Sequence, residues 1–145
     1  MGVMLTRYPD LFGAIVCEVP LLDMQRYHLL LAGASWMAEY GNPDVPSDWA
    51  FLGRYSPYQN VGTGPWPPVL FTTSTRDDRV QPGHARKMAA KLRGLGHHVE
   101  YYENIEGGHG GAADNGQRAF SRALAMEFLW QRLADAPTVE PATDA

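Results

Sequence analysis

At 145 residues and 45% hydrophobic content, the chain is long enough to bury one core and has an ordinary globular composition. A net charge of −4 without a basic patch argues against nucleic acid as a partner, and the apolar runs fall far short of the roughly 18–20 residues of a membrane span. Residues 1–8 lack the basic start and long apolar stretch of a signal peptide, while Cys17, the single cysteine, excludes an internal disulfide and favours a reducing, cytoplasmic setting.

In chain order, residues 2–7 read as the end of a helix stopped at Pro9. Gly13 to Val19 is a β-branched run closed by Pro20, which suits a buried strand. From Leu22 to Glu39 the dense apolar residues predict one or two helices, and Tyr40-Gly41-Asn42-Pro43 predicts a turn. Ser47 is the expected N-cap of a further short helix. Residues 69–73 (Val-Leu-Phe-Thr-Thr) form the second predicted strand. Pro82 then opens a helix with Ala85, Met88, Ala89 and Leu92 on one face, closed by Gly94 and Gly96. His98 to Tyr102 is the third strand, and Gln117 to Leu133 the last helix, with Ala119, Ala123, Met126, Trp130 and Leu133 as its expected apolar stripe. The Pro/Thr/Asp-rich segment 134–145 is expected to be disordered. Strands alternating with helices indicate an α/β fold with about three parallel strands and flanking helices.

In such sheets, chemistry sits on loops after the carboxyl ends of strands. Two loops here hold titratable residues in that position. One, residues 74–80, carries Asp77-Asp78-Arg79 after the second strand; the other places His109 among four glycines after the third. The glycines leave an imidazole free to face both a partner and a substrate, and an acid followed by a histidine is the second half of the Ser, Asp, His order of α/β-hydrolases. No Gly-x-Ser-x-Gly elbow occurs in the chain. Cys17 lies inside a strand without elbow glycines, so it reads as a buried apolar residue. His97 and His98 have no cysteine or carboxylate cluster beside them, so no metal and no other cofactor is expected.

Six segments occur in order: Arg7-Tyr8-Pro9-Asp10-Leu11-Phe12-Gly13-Ala14, Leu22-Asp23-Met24, Tyr40-Gly41-Asn42-Pro43, Tyr55-Ser56-Pro57, Asp77-Asp78-Arg79-Val80 and Gly108-His109-Gly110. Together they resemble the end of a prolyl oligopeptidase catalytic domain over residues 1–133. The resemblance implies a serine peptidase cleaving after proline, with Asp77 and His109 as triad members and Arg79 binding the substrate backbone. A loop salt bridge is the plainer reading of Arg79. Trp36 is implied to stack on the substrate proline, with Tyr40 lining the same pocket. Glu39 keeps open a relative preferring basic residues, and Pro20-Leu21-Leu22 departs from the smaller residues usual before the Asp-Met pair.

The resemblance also implies that the serine, the oxyanion donors and a gating propeller precede residue 1. The three strands would then be the last three of an eight-stranded partial α/β-hydrolase sheet, and the chain alone would be inactive. An unpaired strand 13–19, with Ala14, Ile15, Val16 and Val19 uncovered, would favour a homodimer through that edge or the adjacent helices. Two other readings are an enzyme active as it stands and a non-enzymatic module for self-association or partner binding.

Overall fold

The computed structural model describes residues 1–134. The predicted disordered tail therefore lies, from residue 135 on, outside the described residues. The element order is α1 (Gly2–Arg7), β1 (Ile15–Glu18), α2 (Met37–Tyr40), α3 (Pro46–Leu52), β2 (Val69–Ser74), α4 (Gly83–Gly94), β3 (Val99–Asn104) and α5 (Asn115–Leu133). The strands form one parallel sheet in the order β1-β2-β3, with Val69 opposite both Ile15 and Val99. No helix among the described residues is long and apolar enough to cross a membrane.

The central strand explains the architecture. Every residue of β2 is buried, so it presents apolar side chains to both faces, as a strand covered by helices on both sides must. Val69 and Phe71 join Leu5, Ile15, Met88 and Leu92 on one face, beneath α1 and α4. Leu70 points the other way, into Ala125 and Phe128 of α5. The predicted face of α4 is the observed one: Ala85, Met88, Ala89 and Leu92 are all buried, with Met88 and Leu92 contributing about 1.5–3 kcal/mol each.

Four expectations need correction. The last helix buries Ala125 and Phe128, whereas the expected stripe faces outward, Met126 being 67% and Trp130 69% exposed. Ser47 caps nothing: α3 starts at Pro46 after Val45, because proline at the first turn loses no useful N–H. The segment after Leu22 is mostly 3₁₀ turns at Tyr27–Leu29 and Leu31–Trp36, with only Met37–Tyr40 α-helical. Its path is set by the close approach of Gly33 to the Tyr27 carbonyl, where an added Cβ would lie 1.7 Å from the oxygen.

The fourth concerns β1. Its side chains are not an uncovered patch: Ile15 is buried under the α1/α4 layer, and Ala14 and Val16 pack against the α5 cluster. Val19 leaves the strand at φ +43°, a strained conformation for a β-branched residue. Among the described residues β1 pairs only with β2, so its other backbone edge carries no ladder.

Candidate active site

The loop after β2 is built around Asp77. Its side chain is fully buried, and Oδ1 accepts the backbone N–H groups of Arg79 at 2.9 Å and Val80 at 3.0 Å. This Asx-type turn keeps the carboxylate out of solvent. The loop is anchored from the side by Glu103, which accepts from Thr75 Oγ1 at 2.6 Å and from Arg86 Nε at 2.9 Å. Hydrogen bonding from Arg86, opposed by burial and helped by Thr75 and Tyr101, holds the Glu103 carboxyl at about 2.

His109 approaches from the loop after β3. Its Nδ1 lies 3.1 Å from Asp77 Oδ1 and 3.0 Å from Oδ2. An ionised carboxylate only accepts, so Nδ1 carries the proton and Nε2 is left as a base. The loop can wrap this tightly because Gly107 lies against the Gly111 carbonyl, where a Cβ would sit 2.8 Å from the oxygen, and because Gly111 takes φ +80°. Asp77 and His109, thirty-two residues apart, are thus one hydrogen-bonded pair.

A cleft of about 320 Å³ opens in front of this pair, lined by Leu21, Trp36, Glu39, Tyr40, Arg79, Val80 and His109. Every site residue singled out in the sequence lines it, except Asp77, which stands behind His109. Trp36 and Tyr40 are one helical turn apart and pack on the Met24, Tyr27 and Leu52 cluster. Tyr27 backs Tyr40 edge-on at a ring separation of 5.8 Å and donates to the Gly41 carbonyl at 2.5 Å. Arg79 makes no ion pair among the described residues, so the loop salt bridge weighed for it is not formed. Leu31, at φ +48°, lies on the 3₁₀ segment that delivers Trp36, a local strain of about 1–3 kcal/mol.

No hydroxyl or thiol among the described residues hydrogen-bonds to His109. Cys17 is buried in β1, and burial pushes its thiol up to about 11, so it is not a ready thiolate. The described residues hold no group of three or more His, Cys, Asp or Glu that could bind a metal.

Two supports of the site had no role assigned from the sequence, although Asp23, Met24 and Ser56 stand in the quoted segments. Beneath the Trp36 segment, the Asp23 N–H donates to His84 Nδ1 at 3.1 Å and the Met24 N–H to Ser56 Oγ at 3.0 Å. Lys87 pairs with the buried Asp23 carboxylate, which also accepts from Gln59 at 2.7 Å. At the end of β3, the Asn104 and Gln117 side chains bond the backbone on both sides of the His109 loop. Asparagine at a strand end reads as a turn former, and only burial reveals its partners.

The model of the prolyl oligopeptidase family matches residues 1–136. This chain belongs to the prolyl oligopeptidase family. It is 52% identical over 136 residues to an uncharacterized peptidase, y4nA, of Sinorhizobium fredii, covering 93% of this chain and 19% of that protein. Identity to the prolyl endopeptidase of Dictyostelium discoideum is 38% over 95 residues, 64% of this chain and 12% of that one. Among solved structures, a post-proline cleaving enzyme from Rickettsia typhi superimposes with TM-score 0.89 at 36% identity, covering 92% of this chain and 20% of that one. Oligopeptidase B from Leishmania major gives TM-score 0.87 at 25% identity, covering 92% and 19%. The three parallel strands and flanking helices are those of the α/β-hydrolase domains of prolyl oligopeptidases. The chain spans about a fifth of the length of the relatives it matches along most of its own length.

Proposed function

We propose that this chain is the aspartate- and histidine-bearing part of a serine peptidase catalytic domain that cleaves after proline, the serine being supplied by the preceding part of that domain. The observation that carries this reading is the cleft in which Trp36, Tyr40 and Arg79 surround His109 while Asp77 backs it. The absence of a Gly-x-Ser-x-Gly elbow from the chain, which spans a fifth of its relatives, supports the division.

In this reading His109 Nε2 takes the proton of the serine hydroxyl as Oγ attacks the peptide carbonyl, and later returns it to the leaving amine. Asp77 holds the tautomer and stabilises the imidazolium between these steps. Trp36 offers a flat apolar face to the proline ring, and the guanidinium of Arg79, which makes no ion pair among the described residues, donates to a substrate carbonyl. Glu39 on the same cleft favours a second reading, preference for a basic residue before the cleaved bond. A fluorogenic peptide pair ending in proline or arginine separates the two.

The chain alone is expected to show no labelling by a fluorophosphonate probe, with His109→Ala as control. A chimera in which it replaces the matching segment of the Sinorhizobium peptidase should label and cleave the proline peptide. Labelling of the isolated chain that vanishes in His109→Ala would reveal a nucleophile within it and overturn the division.

The one-sided pairing of β1 and the outward-facing Met126, Trp130 and Leu133 on α5 support a further proposal, that the isolated chain self-associates. Light scattering after gel filtration is expected to report a dimer; a monomer across the micromolar range would count against it.

A further inference from the structure

Asn104 closes β3 and is 5% exposed. Its carboxamide is saturated. Oδ1 accepts the N–H of Glu106 at 3.0 Å and of Gly107 at 3.1 Å, while Nδ2 donates to the Gly111 carbonyl at 3.0 Å and to Gln117 Oε1 at 2.8 Å. Two N–H groups face one end of the amide and two oxygens face the other, so only one orientation satisfies them. The same residue's backbone carbonyl accepts the Thr75 N–H at 2.9 Å, two positions before Asp77. Asn104 therefore touches both loops, the aspartate loop through its backbone and both feet of the histidine loop through its side chain.

The histidine loop has little else to shape it. Between residues 105 and 112 its internal backbone hydrogen bond is Gly111 N–H to the Gly108 carbonyl. Four glycines in that stretch enlarge the conformational freedom that ordering must overcome. Gln117 completes the frame: Oε1 also accepts the Ala113 N–H at 2.8 Å, and Nε2 donates to Glu106 Oε2 at 2.7 Å. We infer that Asn104, seconded by Gln117, is the positioning residue that holds the His109 imidazole on Asp77. Its catalytic meaning rests on the proposed role of that pair. Aspartate could not substitute fully, because it has no donor and would set a carboxylate against the Gly111 carbonyl and Gln117 Oε1.

The test is proton NMR of the purified chain, following the low-field Nδ1–H resonance of His109, identified by its loss in His109→Ala. Asn104→Ala is expected to abolish or broaden that resonance, and to speed exchange of the Gly107 amide by about tenfold through loss of its hydrogen bond. Asn104→Asp, which keeps the acceptor and loses the donors, should broaden the resonance less. Thermal unfolding of each variant shows that it remains folded, and should Asn104→Ala fail to fold, Asn104→Asp and Asn104→Ser carry the comparison. An unaltered resonance in a folded variant lacking the donors, or no such resonance in the wild-type chain, would overturn the inference. The readout involves no cleavage, so it stands or falls separately from the proposed peptidase activity.

Discussion

Asparagine in place of Asp77 is expected to lower kcat of the active chimera by about four orders of magnitude while leaving its fold intact. The carboxamide is nearly isosteric, and its Oδ1 can still accept from the Arg79 and Val80 backbone, so the turn survives. What changes is the proton on His109. An amide nitrogen facing Nδ1 donates to it, which moves the imidazole proton to Nε2 and removes the base from the side that must take the serine proton. KM for the proline peptide should move little, because Asp77 stands behind His109 and does not line the cleft. His109→Ala should cost a comparable factor, and the double variant little more, since members of such a unit are strongly non-additive. Asp77→Asn retaining more than about a tenth of the wild-type rate would contradict the assigned role.

Acidification provides the second large effect. His84 is buried on α4 with Nδ1 accepting the Asp23 N–H, and burial, opposed by Asp23 and reinforced by Lys87, pushes it down to about 4. The folded state therefore refuses a proton that the unfolded chain accepts near pH 6.5. As pH falls from 6.5 to about 4, the unfolded state binds more protons and stability drops by up to about 1.4 kcal/mol per pH unit; below that window the contribution is flat. Asp23, held below its usual range by Lys87 and Gln59 against the opposing effect of burial, titrates below this window. Urea unfolding across pH 4–7.5 should show a shallower acid slope in His84→Gln, with lower stability at pH 7.5 where the wild-type histidine is neutral and well bonded. Parallel slopes for the two proteins would dismiss His84 as the source. The segment this network supports leads to Trp36 and Tyr40, so loss of peptide affinity should accompany the same acid transition.

Local signals account for much of this protein. The i, i+3, i+4, i+7 spacing of Ala85, Met88, Ala89 and Leu92 describes the buried face of α4, since helical periodicity is a property of neighbouring residues. Residues 69–73 read as the second strand, which placed the Asp77 loop at a carboxyl end; that this strand is central and buried on both faces came from the fold. Four glycines around His109 read as leaving its imidazole free to face a partner and a substrate, and Asp77 is the partner it meets. Asp77, Arg79, Tyr40 and His109 lie in the six ordered motifs, and Trp36 is implied only by the resemblance they carry. The fold brings Arg79, Trp36, Tyr40 and His109 to one cleft with Asp77 hydrogen-bonded behind it.

Where the sequence misled, several local solutions were equally good. Helix α5 carries apolar residues around much of its circumference, so periodicity admits more than one inward stripe. Leu70, projecting from the far side of β2, is what draws Ala125 and Phe128 inward and leaves Trp130 outside. The 3₁₀ path after Leu22 depends on Gly33 meeting the Tyr27 carbonyl and on Asp23 meeting His84, sixty-one residues away. Asn104 is likewise silent until burial removes water as a partner for its amide and leaves only the two loops to satisfy it. Strand–helix alternation and motif spacing are properties of neighbouring residues, so the parallel α/β order and the candidate residues could be read along the chain. Which helix face is buried and which polar groups hold the loops emerged from the folded molecule, because both depend on partners that folding alone brings into contact.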